Sequence, residues 1–182
     1  SMELKGGTLS SEVLYRGRVV TLKKDRVRLE NGVEAARGVV CHPGGVSAAA
    51  LTPDNRIYLV RQFRYPYKQV VLETPAGKLE PGEDPDEAIR RELREETGVT
   101  ADGFLKLGDF YPTPGYTDEI IRLYACRAQS QGATDFDDDE FLEVETLPIG
   151  EAVQMVMDNR IPDGKSQALI LRTALLVQAG KL

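Results

Sequence analysis

Residues 77–99 read GKLEPGEDPDEAIRRELREETGV, and they carry the strongest secondary-structure signal in the chain. Asp84 is a preferred helix N-cap, Pro85 suits the first helical position, and Glu87 lies three residues after the cap. Gly98 readily adopts the left-handed conformation that ends a helix. The pattern therefore predicts a helix over residues 85–97, with a loop before it and a sharp stop after it.

Three carboxylates crowd one face of this predicted helix. Glu92, Glu95 and Glu96 stand at positions i, i+3 and i+4, and like charges at these spacings destabilise a helix unless a cation relieves them. Hard oxygen ligands on a short arc suit Mg²⁺, with Mn²⁺ as the alternative. The competing interpretation is a solvated acidic and basic helix, since Arg90 and Arg94 lie on the same segment.

The flanking sequence predicts strands before the helix and both strands and helices after it. Before the helix, predicted strands occupy residues 11–15, 19–24, 27–30, 46–51 and 57–62, with turns at residues 16–17, 24–25, 31–32 and 52–55. After it come strands at 104–110 and 120–128, then helices at 149–159 and 166–178. This order predicts an α+β or mixed-sheet α/β fold rather than a regular parallel βαβ repeat.

Composition narrows the class of protein. The 182 residues include 29 acidic and 23 basic side chains, a net charge of −6, so no electrostatic surplus draws the chain to nucleic acid. No signal sequence or apolar run of membrane-spanning length is evident in the sequence. Cys41 and Cys126 lie in apolar stretches, which is typical of reduced thiols. We therefore expect a cytoplasmic protein that binds neither nucleic acid nor membranes.

The stretch 77–99 resembles the Nudix box. That motif is Gly, five residues, Glu, seven residues, Arg-Glu, an apolar residue, any residue, Glu-Glu, any residue, Gly and an apolar residue, and every fixed position matches. Such a match arises by chance at about 10⁻⁸ per starting point. The resemblance implies an α/β/α sandwich with a mixed sheet, here with a small N-terminal antiparallel sheet added. It also implies hydrolysis of a nucleoside diphosphate linked to another moiety.

The resemblance also implies roles for individual residues, carried over by motif position. The implied metal ligands are Glu92 and Glu96 as the main pair, Glu95 as a further ligand or a contact to metal-bound water, and the backbone carbonyl of Ala76. Arg91 and Glu83 would orient these glutamates. The chemistry requires a cation, because a diphosphate repels an attacking anion until metal ions neutralise its oxygens.

Two segments before the box resemble those of ADP-ribose pyrophosphatases, namely Val60-Arg61-Gln62-Phe63-Arg64-Tyr65 and Leu72-Glu73-Thr74-Pro75-Ala76-Gly77. These enzymes usually have Leu where Thr74 stands. Arg64 offers a planar fork for phosphate oxygens, and Arg61, three residues earlier, is a second candidate substrate contact. The Glu73 carboxylate could accept from an adenine amino group. The competing interpretation of these arginines is salt bridges on a sheet edge.

A proline-rich segment follows the box at Tyr111–Glu119. In the ADP-ribose branch a similar Ser/Thr-Pro-Gly loop lies about this far downstream. Pro114 and Gly115 would make a rigid turn at which the backbone approaches a ligand closely, so both are candidate substrate contacts. The alternative is an ordinary loop between two strands.

Seven acidic residues lie between Asp135 and Glu145. Such a run is usually a solvated loop. Here it resembles the family's catalytic loop, which supplies a glutamate after the sheet. Glu140 is the first candidate for a metal-linked general base. Asp138 is the second, because the related loop often holds two acids two residues apart.

Three functions follow from these patterns. The first is an ADP-sugar diphosphatase that converts ADP-ribose to AMP and ribose 5-phosphate. The second is a pyrophosphatase for another nucleotide sugar or a dinucleotide, and the third is a non-catalytic nucleotide-binding regulator. The intact carboxylates favour an enzyme.

The N-terminal segment predicts the assembly. Residues 1–45 precede the Nudix domain at residues 46–182, and they contain apolar positions such as Leu9, Val13 and Val27. A small sheet of this kind is marginal alone and must pack on something. Similar ADP-ribose pyrophosphatases place the segment across a two-fold partner, so we expect a homodimer.

Overall fold

A computed structural model describes residues 6–182, and residues 1–5 of the predicted N-terminal segment lie outside the described part. The chain divides into two compact units. The first extends to Gly44 and includes Tyr111–Ile120, whereas the second comprises Gly45–Phe110 and Ile121–Leu182. Within the described range, no helix is both long and apolar enough to cross a membrane.

The first unit contains a three-stranded antiparallel sheet in the order β1 (Gly7–Arg16), β2 (Thr21–Arg28) and β3 (Glu34–Cys41). The predicted turn at Asn31-Gly32 is confirmed, because it joins β2 to β3 and Gly32 has a φ of 83°. The prediction of two strands separated by a turn at Lys24 and Asp25 was wrong. Asp25 lies inside β2, where pairing with both neighbouring strands satisfies the backbone and outweighs local turn preference.

The second unit holds a seven-stranded mixed sheet. Its strands are β4 (Gly45–Leu51), β5 (Arg56–Arg64), β6 (Gln69–Glu73), β7 (Ala76–Lys78), β9 (Phe104–Phe110), β10 (Ile121–Arg127) and β12 (Glu143–Pro148). The main order is β12-β5-β4-β10-β9, with β6 paired to β5 and β7 to β4. Strands β4 and β10 are parallel, and the other pairings are antiparallel. A separate ribbon pairs β8 (Val99–Thr100) with β11 (Ser130–Gln131).

Three helices complete this unit: α1 (Pro85–Thr97), α2 (Ile149–Met157) and α3 (Gly164–Gln178). Helix α1 has the predicted bounds and the predicted caps. The Asp84 side chain accepts a hydrogen bond from the Asp86 amide, and Gly98 has a φ of 74°. Helix α2 ends two residues earlier than expected, and α3 begins two residues earlier. Strands β3, β6, β7, β8, β11 and β12 were not predicted.

Helices cover both faces of the sheet because β4 alternates its small side chains between them. Val46, Ala48 and Ala50 pack in clusters with Ala88, Ile89 and Leu93 of α1. Ala49 and Leu51 point the other way and pack with Ala152, Leu169 and Ile170 of α2 and α3. Every residue of β4 is buried, as expected for a central strand covered on both sides. The expected α/β/α sandwich with a mixed sheet is confirmed.

Candidate active site

The guanidinium of Arg91 binds three carboxylates in the candidate site. Arg91 lies on α1, and its Nε and Nη2 donate to the two oxygens of Glu83 at 2.8 and 3.0 Å. Its Nη1 donates to Glu92 Oε1 at 2.8 Å and to Glu95 Oε2 at 3.1 Å. The loop residue Glu83 therefore fixes the arginine, and the arginine fixes two of the three clustered glutamates.

Backbone groups of strand β7 contact Glu96 and Glu92. The Ala76 amide donates to Glu96 Oε2 at 3.0 Å. The Glu92 carboxylate lies against Gly77, since a Cβ built on that glycine would overlap Glu92 Cδ. The segment at residues 76–77 is part of β7, which pairs with β4. The sheet therefore fixes the backbone on which both glutamates rest.

Burial makes the charge of two of these glutamates unfavourable. The Glu92 side chain is 12% exposed, and burial raises its pKa to about 7 although Arg91 opposes the shift. Burial and the negative charge of the neighbouring Glu92 together raise the pKa of Glu96 to about 8, although the hydrogen bond from the Ala76 amide opposes the shift. Neighbouring carboxyl groups whose pKa values are raised by burial are a common feature of functional sites.

The acidic loop that follows Asp135 brings Glu140 within electrostatic range of Glu92 and Glu96. Glu140 is half-buried, and its negative charge contributes to the raised pKa of both Glu92 and Glu96. Burial raises the pKa of Glu140 itself, and a hydrogen bond with Asp137 adds to that shift. Asp138 is exposed. The structure thus brings Glu140 towards the α1 glutamates, and its role as a base stays a prediction.

The donor set fits a hard divalent cation. Within residues 6–182, no group of three or more His, Cys, Asp or Glu side chains already forms a ready-made metal cluster. Arg91 engages one oxygen each of Glu92 and Glu95. However, Glu92 and Glu96 are oxygen donors whose ionised forms are disfavoured by burial and stabilised by positive charge. A cation with oxygen preference supplies that charge without a proton.

A second polar cluster lines a cavity of about 280 Å³ in the same unit. Arg64 donates from Nε and Nη2 to both oxygens of Glu73, at 2.7 and 2.8 Å. Lys165 donates to Glu73 Oε1 at 2.6 Å and to Asp163 Oδ2 at 3.0 Å. Tyr67 also lines the cavity. Both cations are close enough to Glu96 to interact with it electrostatically.

The predicted substrate residues are thus found in ion pairs or in turns. Arg64 pairs with Glu73, and Arg61 donates to both oxygens of Glu145 at 2.8 and 3.2 Å. Both arginines therefore form salt bridges, as the competing interpretation expected, but Arg61 lies where β5 is paired with β12 and with β6 rather than at a sheet edge. Pro114 and Gly115 lie in the loop segment of the first unit. Substrate contact by any of these residues stays a prediction.

Lys165 and Asp163 were missed in the sequence. Asp163 caps α3 by accepting from the Ser166 amide at 3.0 Å, which places Lys165 in the first turn of the helix. Burial opposes ionisation of Asp163, but Lys165 and Ser166 outweigh it and lower the pKa of this carboxyl. A cap residue directly followed by Gly-Lys-Ser was a usable local signal. The partner Glu73 is 92 positions from Lys165 and carries no such signal.

Comparisons with known proteins agree with this geometry. A model of the NUDIX domain matches residues 42–169, and a model of the nucleoside diphosphate sugar hydrolase N-terminal domain matches residues 8–40. The ADP-ribose pyrophosphatase of Bacillus subtilis (strain 168) is 38% identical over 96% of this chain and 98% of its own length. The methanol dehydrogenase activator of Bacillus methanolicus is 42% identical over 92% and 94%.

A solved structure also aligns along the full length. The crystal structure of an ADP compounds hydrolase superposes with a TM-score of 0.84 and covers 100% of both chains. Its sequence identity is 20%, so this similarity establishes the fold alone.

Proposed function

Because the chain belongs to the Nudix family of hydrolases, we propose that it hydrolyses the diphosphate of ADP-ribose or a related nucleoside-diphosphate sugar. With ADP-ribose, the oxygen of water bonds to one phosphorus and the bridging P–O bond breaks, which yields AMP and ribose 5-phosphate. The observation that carries this proposal is the cluster of Glu92, Glu95 and Glu96 on α1, in which Glu96 is buried and Arg91 contacts the other two.

The proposed cofactor is Mg²⁺, with Mn²⁺ able to replace it. When bound, such a cation neutralises phosphate oxygens and lowers the pKa of water. Glu92 and Glu96 would hold it together with the Ala76 carbonyl, and Glu95 would add a direct or water-mediated contact. Support comes from the oxygen-only donor set and from the burial of Glu96.

The remaining residues have proposed roles in orientation and proton transfer. Arg91, fixed by both oxygens of Glu83, would hold Glu92 and Glu95 in the geometry that a cation requires. Glu140 would accept a proton from the attacking water. Burial raises the pKa of its carboxyl, which makes the carboxylate a stronger base.

The proposed substrate class rests on the relatives and on the second polar cluster. The B. subtilis relative is an ADP-ribose pyrophosphatase by name. The cavity beside Arg64 and Glu73 combines paired charges with the Tyr67 ring, which suits the polar and planar parts of a nucleotide sugar. Arg61, Pro114 and Gly115 are further proposed contacts.

Product analysis tests this proposal directly. The protein is incubated with ADP-ribose and Mg²⁺, and AMP and ribose 5-phosphate are measured, with ADP-glucose, GDP-mannose and diadenosine diphosphate as competitors. ADP-ribose should have the highest kcat/KM. Glu92→Gln and Glu96→Gln should each lower kcat by about 10² or more while the protein stays folded. Equal turnover of all substrates would reject the ADP-ribose assignment, and full activity in both variants would reject the metal site.

A second candidate is a regulator that binds a nucleotide without turning it over. The relative from B. methanolicus is a methanol dehydrogenase activator by name. A regulator of this kind would bind ADP-ribose in calorimetry and release no product with Mg²⁺ or Mn²⁺. The complete set of box carboxylates favours hydrolysis.

The proposed assembly is a homodimer formed through the first unit. All ten residues of β1 are exposed, including the large apolar side chains Leu9, Val13, Leu14 and Tyr15. A long edge strand with exposed apolar residues is a typical pairing surface, and two-fold dimers are the commonest closed assemblies. Light scattering coupled to size exclusion measures the mass. A monomer at micromolar concentration, or a dimer unaffected by Leu14→Glu, would overturn this assignment.

We also propose that the protein works in the cytoplasm. Cys126 is buried, Cys41 is partly buried, and both are free thiols, as is usual in a reducing compartment. Fractionation of the source cells tests this directly.

A further inference from the structure

Three buried hydroxyls link strand β4, the loop after β6 and helix α3. Ser47, Thr74 and Ser166 are each 0% exposed. Thr74 Oγ1 lies 2.9 Å from Ser47 Oγ and 3.2 Å from Ser166 Oγ, and the Thr74 amide donates to Ser166 Oγ at 2.9 Å. We name this chain of Ser47, Thr74 and Ser166 the hydroxyl relay.

The two ends of the hydroxyl relay fix the direction of its protons. Ser166 Oγ donates to Asp163 Oδ2, and Ser47 Oγ donates to the Pro75 carbonyl at 2.8 Å. Both end groups accept hydrogen bonds, so each serine uses its single proton on them. The Thr74 hydroxyl has one proton and lies near both serines, so it can donate to Ser47 Oγ or to Ser166 Oγ but not to both. It therefore supplies the one hydroxyl proton available between the two serines.

The Pro75 carbonyl connects the hydroxyl relay to the candidate metal centre. This carbonyl and the amide of Ala76 belong to the same peptide unit, which is planar and nearly rigid. Ser47 Oγ and the Ala48 amide hold the oxygen end. The nitrogen end donates to Glu96 Oε2 at 3.0 Å. Rotation of this peptide would move the Ala76 N–H away from Glu96, so its orientation also fixes that carboxylate.

We propose that Ser47, Thr74 and Ser166 are positioning residues for metal binding, because they orient the Pro75–Ala76 peptide against Glu96. The inference rests on the proposed function, in which Glu96 and the Ala76 carbonyl hold the cation. Helix α3 thereby contributes indirectly to the position of Glu96, since Asp163 and Ser166 at the start of this helix hold one end of the hydroxyl relay.

The Thr74 hydroxyl can be removed or kept by small substitutions at this one position. Thr74→Val has nearly the same shape and removes only this donor, whereas Thr74→Ser keeps it. The pair of variants therefore separates hydrogen bonding from packing.

The test measures Mn²⁺ binding to the substrate-free protein by electron paramagnetic resonance. Thr74→Val should weaken Mn²⁺ binding by about tenfold, as is typical when a group that orients a metal ligand is lost. Thr74→Ser should stay within about twofold of the wild type. Hydrolysis assays should show the Thr74→Val loss mainly as a higher Mg²⁺ requirement, which a general loss of stability would not produce.

Thr173→Val is the matched control. Thr173 is also a fully buried threonine of the same unit, and its Oγ1 has no hydrogen-bond partner within the described residues. Its replacement should leave Mn²⁺ binding unchanged. If Thr74→Val fails to fold, Ser47→Ala provides the same measurement at the other end of the hydroxyl relay.

Unchanged Mn²⁺ binding in folded Thr74→Val and Ser47→Ala would overturn the inference. So would equal losses in Thr74→Val and Thr173→Val. Because binding is measured without substrate, this result is independent of whether the wild type hydrolyses ADP-ribose. A wild type that binds Mn²⁺ and hydrolyses no nucleotide sugar would reject the proposed function and leave the relay measurement intact.

Discussion

The Glu92 carboxylate occupies the space that a side chain at position 77 would need. A Cβ built on Gly77 would overlap Glu92 Cδ, far inside any real carbon contact. Gly77→Ala should therefore displace this carboxylate and lower kcat/KM by about 10²-fold, because misplacement of a reactive group by about 1 Å costs that much. Steady-state kinetics at saturating Mg²⁺ measure the loss.

Gly103→Ala is the control for this substitution. A Cβ at Gly103 meets no atom within 4 Å, so this variant should retain wild-type kinetics. Wild-type activity in Gly77→Ala would show that Glu92 can move freely, and the close approach would then have no catalytic meaning.

Arg91→Lys should reduce activity although it keeps the charge. The guanidinium contacts Glu83 with two nitrogens and also reaches Glu92 and Glu95, whereas an ammonium cannot reproduce this fork. A loss of about 10- to 100-fold in kcat/KM is expected. Glu83→Gln should cost a similar amount, and the double variant should cost little more because both residues act as one unit.

Arg90→Lys tests whether any arginine on α1 behaves this way. Arg90 donates to the carbonyls of Ala101 and Asp102, away from the glutamates. Its replacement should leave kcat/KM near the wild-type value. Additive losses in Arg91→Lys and Glu83→Gln would contradict the shared role.

Local sequence signals were sufficient to predict α1 and the cluster on it. The Asp84 cap, the helical spacing of the glutamates and the Gly98 stop all lie within one short segment. The motif implied that Arg91 and Glu83 orient the glutamates, and the structure shows that these two residues, eight positions apart, also contact each other. Short-range patterns of this kind survive folding because few distant contacts compete with them.

Contacts between distant segments could not be predicted in the same way. Glu143 and Glu145 belong to an acidic run that suggested a loop, yet β12 forms there because it pairs along β5 and Arg61 binds Glu145. Lys165 and Glu73 are 92 residues apart, and only the packing of α3 on the sheet brings them together. Tertiary pairing overrides local propensity in both cases.

Glu140→Gln should lower kcat more than it changes KM. A general base acts mainly in the transition state, and its loss typically costs about 10²- to 10⁴-fold. Asp138→Asn is the matched control, since Asp138 lies in the same loop and is exposed. A large loss in Asp138→Asn with little change in Glu140→Gln would assign the base two residues upstream.

The metal-free protein should lose stability as pH rises through neutrality. Glu92 and Glu96 have folded-state pKa values of about 7 and about 8, above the ordinary value of 4.5. Raised carboxyl pKa values favour the folded state at low pH, and this contribution is lost progressively as pH rises from the ordinary value of 4.5 through the folded-state values of about 7 and about 8. The Tm measured with a chelator should therefore fall across this range.

Added Mg²⁺ should raise the Tm more at about pH 8.5 than at about pH 5.5, because the ion binds the ionised carboxylates. Glu96→Gln should flatten the pH dependence of the chelated protein. If the Tm of the chelated wild type instead rose through neutral pH, the assigned burial of these glutamates would be incorrect.

Lys165→Met should destabilise the protein through Glu73 rather than through packing. The Lys165 ammonium lies 2.6 Å from Glu73 Oε1, and the Glu73 side chain is only 2% exposed. Removing one partner of a buried ion pair leaves a buried charge without compensation, so the free energy of unfolding should fall by about 3 kcal/mol. This is the lower end of the usual range, since Arg64 still holds Glu73. Urea unfolding with Mg²⁺ present measures the change.

Lys106→Met is the control, because Lys106 forms an exposed pair with Asp86 and its loss should change stability little. Equal losses of unfolding free energy in Lys165→Met and Lys106→Met would show that burial does not increase the contribution of the Lys165–Glu73 pair to stability. A double variant Lys165→Met, Glu73→Gln that recovers stability would locate the cost in the unpaired carboxylate.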